Sequence, residues 1–354
     1  MKKKKNINRF SLPLNNTLRY ILGLVFSSIF GVALWVQEPI QETLHAGTGK
    51  PVELYANQVN DDLSQTFSAA IDSAQRSILL VIYSLTDPQI IASLRYKSET
   101  GVDVRVICDA KASPNINTKL GPKINTVRRF GPGLMHQKIL VIDDSYTWLG
   151  SANMTTESLK MHGNLVAALD SPILAKHINA KASTLKEEGR DELFPHKEFS
   201  IGQQTIEMWF LPDDKAAVKR LQQLIGTAQK TIRIAMFTWT RKDLAQSVIN
   251  AAKRGVHTEV VIDQYQGKGT GDKIVKLLKD NGIQVSLSRP GPLLHHKFLY
   301  IDENILVNGS ANWTKAAFTQ NDDCFIVIHN LDERQKAQMD QLWHIISNEC
   351  EAVK

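Results

Sequence analysis

Two short segments of the sequence carry the same chemically active residues in the same spacing. Residues 135–153 read MHQKILVIDDSYTWLGSAN, and residues 294–312 read LHHKFLYIDENILVNGSAN. In both, a histidine is followed by one residue, a lysine, four residues, an aspartate, six residues and then Gly-Ser-Ala-Asn. The shared members are His136, Lys138, Asp143, Ser151 and Asn153 in the first segment, and His295, Lys297, Asp302, Ser310 and Asn312 in the second.

This set of side chains could bind and cleave a phosphodiester. Two lysines would neutralise the phosphate and the charge that develops on its equatorial oxygens. Serine and asparagine side chains would donate hydrogen bonds to the same oxygens. One neutral histidine can attack phosphorus, and a second, protonated histidine can protonate the leaving oxygen. Because the lysines supply the positive charge, we predict neither a metal nor another cofactor.

Strand geometry explains the spacing. A histidine and a lysine two positions apart on a β-strand point to the same face, so His296, next to His295, should point away and is predicted to be non-catalytic. The aspartates should fix turn geometry where each strand ends rather than contact substrate. The candidate catalytic set is His136, Lys138, Asp143, His295, Lys297 and Asp302. The candidate phosphate-binding or supporting set is Ser151, Asn153, Ser310, Asn312, Asp323 and Asn164.

The elements that would position these residues are also duplicated. The runs SILLVIYSLT (77–86) and GVDVRVICD (101–109) match TIRIAMFTWT (231–240) and GVHTEVVID (255–263) at an offset of 154 residues. Runs rich in valine and isoleucine predict buried strands, and the segments between them have apolar residues at helical spacing. Alternating strands and helices predict an α/β unit that is made twice.

The duplicated motif resembles that of the phospholipase D superfamily, over roughly residues 50–350. The resemblance implies two α/β/α sandwich repeats related by a pseudo-twofold axis, with one active site at their interface. It also implies a covalent phosphohistidine intermediate, which water or another alcohol resolves. We predict a first repeat over 50–190, a second over 204–350, and a polar linker around 185–204. Because one chain carries both motifs, we predict a monomer.

The two halves differ at one position that bears on the roles of the histidines. Asp323 lies 28 residues after His295, whereas Asn164 lies 28 residues after His136. In the family an acidic residue near this position orients the histidine, so the first half departs from the pattern. A carboxylate raises the pKa of a neighbouring imidazole. Our hypothesis is therefore that His295, paired with Asp323, is the protonated acid and that His136 is the neutral nucleophile. Reversed roles are the alternative.

Charge and hydropathy indicate where the protein acts. Six of the 42 lysine and arginine side chains lie in a basic tail, residues 1–19, so the rest of the chain carries 36, equal to its 36 acidic side chains. A neutral body argues against an obligate nucleic-acid binder. The uncharged 17-residue run Tyr20–Val36 is just long enough to span a bilayer. We predict a single-pass membrane protein with its body on the non-cytoplasmic side. A cleaved signal peptide, giving a secreted protein, or a buried core helix are the alternatives.

These observations favour a membrane-associated phosphodiesterase of phospholipase D type that hydrolyses glycerophospholipids. An endonuclease acting on DNA or RNA is the second choice, and the basic residues of 111–130, including Arg128 and Arg129, favour it. A phosphatidyltransferase, in which an alcohol replaces water, is a third reading. Two complete motifs make a catalytically silent scaffold the least favoured one.

Overall fold

A computed structural model describes residues 44–45 and 49–353 of the chain. The strands in this part are β1 (Leu44–His45), β2 (Glu53–Ala56), β3 (Ser77–Ile82), β4 (Asp103–Asp109), β5 (Asn125–Arg129), β6 (Lys138–Ile142), β7 (Tyr146–Gly150), β8 (Leu165–Asp170), β9 (Lys197–Ile201), β10 (Gln204–Leu211), β11 (Thr231–Met236), β12 (His257–Ile262), β13 (Gln284–Ser288), β14 (Lys297–Ile301), β15 (Ile305–Gly309), β16 (Asp323–His329) and β17 (Cys350–Ala352).

Helices alternate with these strands, as the periodicity of the sequence predicts. They are α1 (Leu63–Ser73), α2 (Pro88–Glu99), α3 (Ile116–Leu120), α4 (Thr156–Lys160), α5 (Pro172–Thr184), α6 (Ala217–Thr227), α7 (Lys242–Lys253), α8 (Gln264–Gly267), α9 (Asp272–Asp280), α10 (Lys315–Thr319) and α11 (Glu333–Asn348), with a 3₁₀ turn at Asn57–Val59.

The two halves share one sheet topology, which confirms the predicted duplication. The first sheet has the order β2-β8-β7-β6-β3-β4-β5. The second contains the equivalent series β10-β16-β15-β14-β11-β12-β13, and extends it with β9 and β1 at one edge and β17 at the other. In both, the central strand that begins at the motif lysine pairs antiparallel with the strand that follows the first α-helix of the repeat, β6 with β3 and β14 with β11.

Three hydrophobic cores hold these layers. One packs α1 and α2 on the outer face of the first sheet, and another packs α6, α7 and α9 on the outer face of the second. The third lies between the sheets and contains residues of both halves together with α5 and α11. Because both faces of the central strands are covered, all five residues of β6 and all five of β14 are buried. This explains why they read as continuous apolar runs.

The connection between the halves is held by a buried ion cluster. Arg129 Nη2 lies 2.7 Å from Asp322 Oδ2, and Arg190 Nη2 lies 2.7 Å from Asp322 Oδ1. Arg190 also pairs with Asp213, whose other oxygen is 2.5 Å from Lys181 Nζ. Part of the predicted linker is strand β9, which pairs antiparallel with β10.

The predicted single-pass membrane topology is corrected by the structure. Among the described residues, no helix has both the length and the apolar character needed to cross a bilayer. The run Tyr20–Val36, on which the prediction depended, lies outside the described residues.

Candidate active site

The two catalytic motifs meet where the halves contact one another. His136 and Lys138 lie at the start of β6, and His295 and Lys297 lie at the start of β14. The segment before each histidine forms a parallel bridge to the other half, Met135 with Asp322 and Gly163 with Leu294. The backbone N–H of His136 donates to the Asp322 carbonyl at 2.8 Å, which fixes the first histidine to the second half.

Each histidine takes its hydrogen-bond partner from the opposite half. His136 Nδ1 lies 2.8 Å from Asp323 Oδ1, and His295 Nδ1 lies 3.0 Å from Asn164 Oδ1. The predicted pairing of His295 with Asp323 is therefore wrong. The segments that lead into β8 and β16 run beside the motif of the other repeat, so the residue 28 positions downstream faces the partner histidine instead of its own.

Burial dominates the electrostatics of both imidazoles. Desolvation lowers the pKa of His136, and the Lys138 ammonium lowers it further, while the Asp323 carboxylate opposes the shift. His295 has no carboxylate partner, and burial together with Lys297 and Lys138 holds its pKa well below the usual value. Without bound substrate, both histidines are thus neutral at neutral pH. Burial alone would raise the pKa of Asp323, but its interaction with His136, the nearby Lys138 ammonium and the hydrogen bond from Ser310 together lower it, so Asp323 is ionised.

The two lysines are buried and equivalent. Lys138 Nζ donates to the His136 carbonyl at 2.6 Å, and Lys297 Nζ donates to the His295 carbonyl at 2.7 Å. Burial lowers the pKa of Lys138 to about 7 and that of Lys297 well below its usual value. Because an ammonium in this setting lacks solvation, an anion that enters the site would be bound strongly.

An aromatic ring backs each histidine–lysine pair. Tyr83 lies edge-on to His136, with ring centroids 5.1 Å apart, and its face is 5.2 Å from Lys138 Nζ. Phe237 takes the same place in the second half, 4.9 Å from the His295 ring. The duplicated strands align Tyr83 with Phe237, a pair that lies outside the two repeated motifs.

The motif serines orient the partners of the histidines. Ser310 Oγ donates to Asp323 Oδ1 at 2.7 Å and accepts from the Cys324 N–H. Ser151 Oγ donates to Asn164 Oδ1 at 2.9 Å and accepts from the Leu165 N–H. These bonds occupy the hydroxyls, which favours an orienting role over direct contact with phosphate.

The glycine before each serine permits this close contact. A Cβ atom on Gly150 would lie 2.2 Å from the Leu165 carbonyl oxygen, and one on Gly309 would lie 2.4 Å from that of Cys324. Any larger residue would push the serine-bearing strand away from β8 or β16. The glycine therefore lets the strands approach closely enough for the next residue, serine, to donate its hydroxyl to its acceptor.

The motif asparagines differ between the halves. Asn312 Oδ1 accepts from the Thr238 N–H at 3.2 Å. Asn153 Oδ1 is buried without a hydrogen-bond partner among the described residues. An unpaired buried amide oxygen is costly, so a donor that enters the site would satisfy it.

The motif aspartates lie at the far ends of their strands and hold the backbone. Asp143 follows the last residue of β6, and its carboxylate accepts the N–H groups of Gln75, Arg76 and Ser77. Asp302 does the same in the second half, and both aspartates have positive φ. The expected turn-fixing role fits this geometry, whereas their place in the candidate catalytic set does not.

Other residues considered in the sequence bond to groups outside the two motifs. His296 is fully buried and its Nε2 lies 2.6 Å from Gln58 Oε1. Arg129, suggested as a contact for an anionic substrate, is buried in the ion cluster and is not available to one. Arg128 donates to the Ala110 carbonyl at 2.8 Å.

A further histidine near the site belongs to neither repeated motif. The half-buried ring of His162 lies 6.2 Å from that of His295, centroid to centroid. His162 lies two residues before Asn164, and Asn321 occupies the equivalent position in the second half. Because the histidine is not repeated, a comparison of the two halves does not identify it. Within residues 49–353, no group of three or more His, Cys, Asp or Glu side chains is placed to hold a metal ion.

The sequence matches a known family in both halves. The family model described as "Cardiolipin synthase, PLD-like domain" matches residues 67–186 and 221–343. A mitochondrial cardiolipin hydrolase from Chlamydomonas reinhardtii is 33% identical over 129 residues, which are 36% of this chain and 57% of that protein. Across six such hydrolases, the chain spans between 44% and 64% of the relative's length. Cardiolipin synthase B from Salmonella typhi is 22% identical over 86% of this chain and 82% of its own length.

The fold is also found in a solved structure. Phosphatidylserine synthase from Haemophilus influenzae Rd KW20 superposes with a TM-score of 0.68 at 15% identity, over 88% of this chain and 89% of that one. This similarity confirms the two-repeat α/β architecture over nearly the whole described region.

Proposed function

This chain belongs to the phospholipase D-like domain family, and we propose that it cleaves a phosphodiester bond of a glycerophospholipid through a phosphohistidine intermediate. The arrangement that carries the proposal is the exchange of partners between halves. It brings together two imidazoles with Nδ1 engaged, two buried lysines and one carboxylate, close enough that both lysines act on both histidines.

In the first step, His136 is the nucleophile. Its Nδ1–H donates to Asp323, so the lone pair is on Nε2 and can attack phosphorus. The P–Nε2 bond forms as the bond from phosphorus to the leaving oxygen breaks. Attack places positive charge on the imidazole, and the buried carboxylate 2.8 Å away stabilises it. The proposed role of His136 is the one in our hypothesis, but the reason differs. The Asp323 carboxylate supports His136 as a nucleophile, whereas the hypothesis placed it beside His295.

His295 supplies the proton for the leaving oxygen. Its Nδ1–H donates to Asn164, and Nε2 carries the transferable proton once the ring is protonated. The low pKa of His295 without substrate comes from burial and from Lys297 and Lys138. A bound phosphate anion offsets that positive charge and raises the pKa of His295, so protonation accompanies substrate binding.

The second step returns the enzyme to its initial state. A water molecule attacks phosphorus, and His295, now neutral, takes its proton. The new P–O bond replaces the P–Nε2 bond, His136 leaves neutral, and the product is a phosphatidic acid. Lys138 and Lys297 bind the equatorial oxygens in both steps.

Transfer to an alcohol is the second candidate. Cardiolipin synthase B aligns over most of this chain, unlike the shorter cardiolipin hydrolases. An alcohol that enters in place of water would be deprotonated by His295 in the same way, and the product would be a new phosphatidyl ester. The same intermediate serves both reactions.

The test uses the full chain with ³²P-labelled phospholipid in mixed micelles, with and without glycerol. His136→Asn and His295→Asn are the test variants, and His257→Asn is the control because His257 is an exposed residue at the start of β12. An alkaline quench preserves phosphohistidine. We expect label on wild type and on His295→Asn, none on His136→Asn, and an unchanged control.

The outcomes separate the candidate functions. Release of phosphatidic acid indicates hydrolysis, and conversion to a glycerol ester indicates transfer. Intact lipid with cleavage of single-stranded or double-stranded DNA or RNA in a parallel assay would refute the lipid proposal in favour of a nuclease. Label on His295 alone would reverse the roles of the histidines.

A further inference from the structure

His162, beside His295, differs from the residue at the equivalent position of the second half, Asn321. Its ring is half-buried and tilted by 49° to the ring of His295, with 6.2 Å between centroids. Imidazole rings at this separation can exchange a proton directly after a small rotation or through one water molecule.

The equivalent residue of the second half has a different task. Asn321 Oδ1 accepts from the Leu134 N–H at 3.0 Å, and its Nδ2 donates to Asp323 Oδ2 at 3.3 Å. Asn321 thus supports the Asp323 carboxylate and the loop before His136. The ring nitrogens of His162 have no hydrogen-bond partner within residues 49–353, so no comparable structural bond accounts for the histidine.

His295 has a need that His136 does not have. Its ring is buried and bonded to a neutral amide, so no carboxylate is hydrogen-bonded to it and a proton gained on substrate binding has to come from a neighbouring group. His162 lies beside this ring and reaches solvent. The Asn164 side chain also donates to the His162 carbonyl at 3.3 Å, which links the two residues through the backbone.

We propose that His162 carries protons between solvent and His295 and acts through His295 rather than on the substrate. This inference rests on the proposed function. When substrate binds, His162 passes a proton to His295 and takes another from solvent, and the proton returns by the same path when product leaves. Only N–H and O–H bonds form and break in this exchange.

The surroundings of His162 suit this exchange. Burial lowers the pKa of His162, Glu157 raises it, Lys297 lowers it and Asp263 raises it. His295 is the remaining titratable neighbour. The net direction is a lowered pKa, so a protonated His162 passes its proton on readily.

The experiment compares His162→Asn, which copies Asn321 of the second half, with His257→Asn as the matched control. We expect His162→Asn to lower kcat on the order of 10–100-fold at nearly unchanged KM, less than a group that acts directly on substrate. His162→Ala should lose as much, and free imidazole added to the buffer should restore a large part of its rate. The pH profile of kcat for both variants should depend on buffer concentration, unlike that of wild type.

Each outcome has a defined meaning. A His162→Asn rate equal to the control, or a loss that imidazole does not restore and that leaves the pH profile unchanged, would overturn the inference and leave the proposed function standing. A wild-type protein that cleaves no phosphodiester would overturn the proposed function and this inference with it. His162→Gln replaces either variant if it fails to fold, as judged by circular dichroism.

Discussion

Asp323 Oδ1 and His136 Nδ1 lie 2.8 Å apart although 187 residues separate them in sequence. Asn164 and His295 form the matching contact, 131 residues apart. Each histidine therefore takes its hydrogen-bond partner from the other half. The two contacts are equivalent in geometry but not in charge, because one partner is a carboxylate and the other an amide.

Removing the single carboxylate should impair the chemical step. Asp323→Asn keeps the shape of the side chain but removes the charge that stabilises a cationic His136, and it allows the wrong imidazole tautomer. By analogy with other buried aspartate–histidine pairs, kcat should fall by about 10²–10⁴-fold. The measurement is the rate of phosphohistidine formation in a single turnover. Asp340→Asn, at a partly exposed ion pair with Arg233, serves as control, and an equal loss in both variants would contradict the prediction.

Adding a second carboxylate should cost stability. Asn164 Nδ2 donates to the Ser158 carbonyl at 2.8 Å. Asn164→Asp would place an acceptor against that acceptor, so we expect the free energy of unfolding to fall by about 1–3 kcal/mol. Urea denaturation measures this. Asn250→Asp is the control, because the Asn250 amide oxygen accepts from Gln246 and a carboxylate keeps that bond. A stable Asn164→Asp variant would show that the Ser158 contact is unimportant.

Breaking the ion cluster should loosen the contact between the halves. Asp322→Asn leaves Arg129, itself 6% exposed, without a carboxylate. Loss of one partner of a buried ion pair costs about 3–5 kcal/mol. Thermal and urea unfolding both test this. The exposed pair of Lys276 and Asp280 is the comparison, and Asp280→Asn should have no measurable effect. Equal stability of both variants would refute the prediction.

Glu207 should make unfolding sensitive to acid. Burial alone would raise its pKa, but hydrogen bonds from His329 and Arg220 outweigh it and lower the pKa to about 2. A depressed carboxyl pKa stabilises the fold above the unfolded value of about 4.5, and this contribution of about 3 kcal/mol is lost as pH falls toward 2.

The measurement is urea unfolding of wild type and Glu207→Gln between pH 5 and 3. The variant should be less stable at pH 5, and the difference should shrink as pH falls. Glu99→Gln is the control, at an exposed i,i+4 pair with Arg95. A difference that stays constant with pH would exclude Glu207 as the titrating group.

The sequence predicted the fold and the motif residues, but not how the halves exchange partners. The spacing of 28 residues is the same for His136 to Asn164 and for His295 to Asp323, so it is consistent with pairing within a half or across halves. The contacts of Met135 with Asp322 and of Gly163 with Leu294 show that the pairing runs across the halves. A repeated spacing cannot encode which copy faces which.

Two other residues show where pattern analysis fails. His162 has no counterpart in the second half, so a search for repeated chemistry passes over it. Arg129 looked like a solvent-exposed cation because its neighbours are basic, yet it is buried against a carboxylate 193 residues away. Charge runs give no information about a partner that is distant in sequence.

The site is asymmetric because one histidine partner is a carboxylate and the other an amide, although the strand order around it has nearly twofold symmetry. In the reaction proposed above, a phosphodiester could enter in two orientations related by that axis, and both present phosphorus to His136 with Asp323 behind it. The two orientations place different ester oxygens opposite His136, so for a lipid whose phosphate lies between two similar glycerol groups the orientation of binding decides which ester bond breaks.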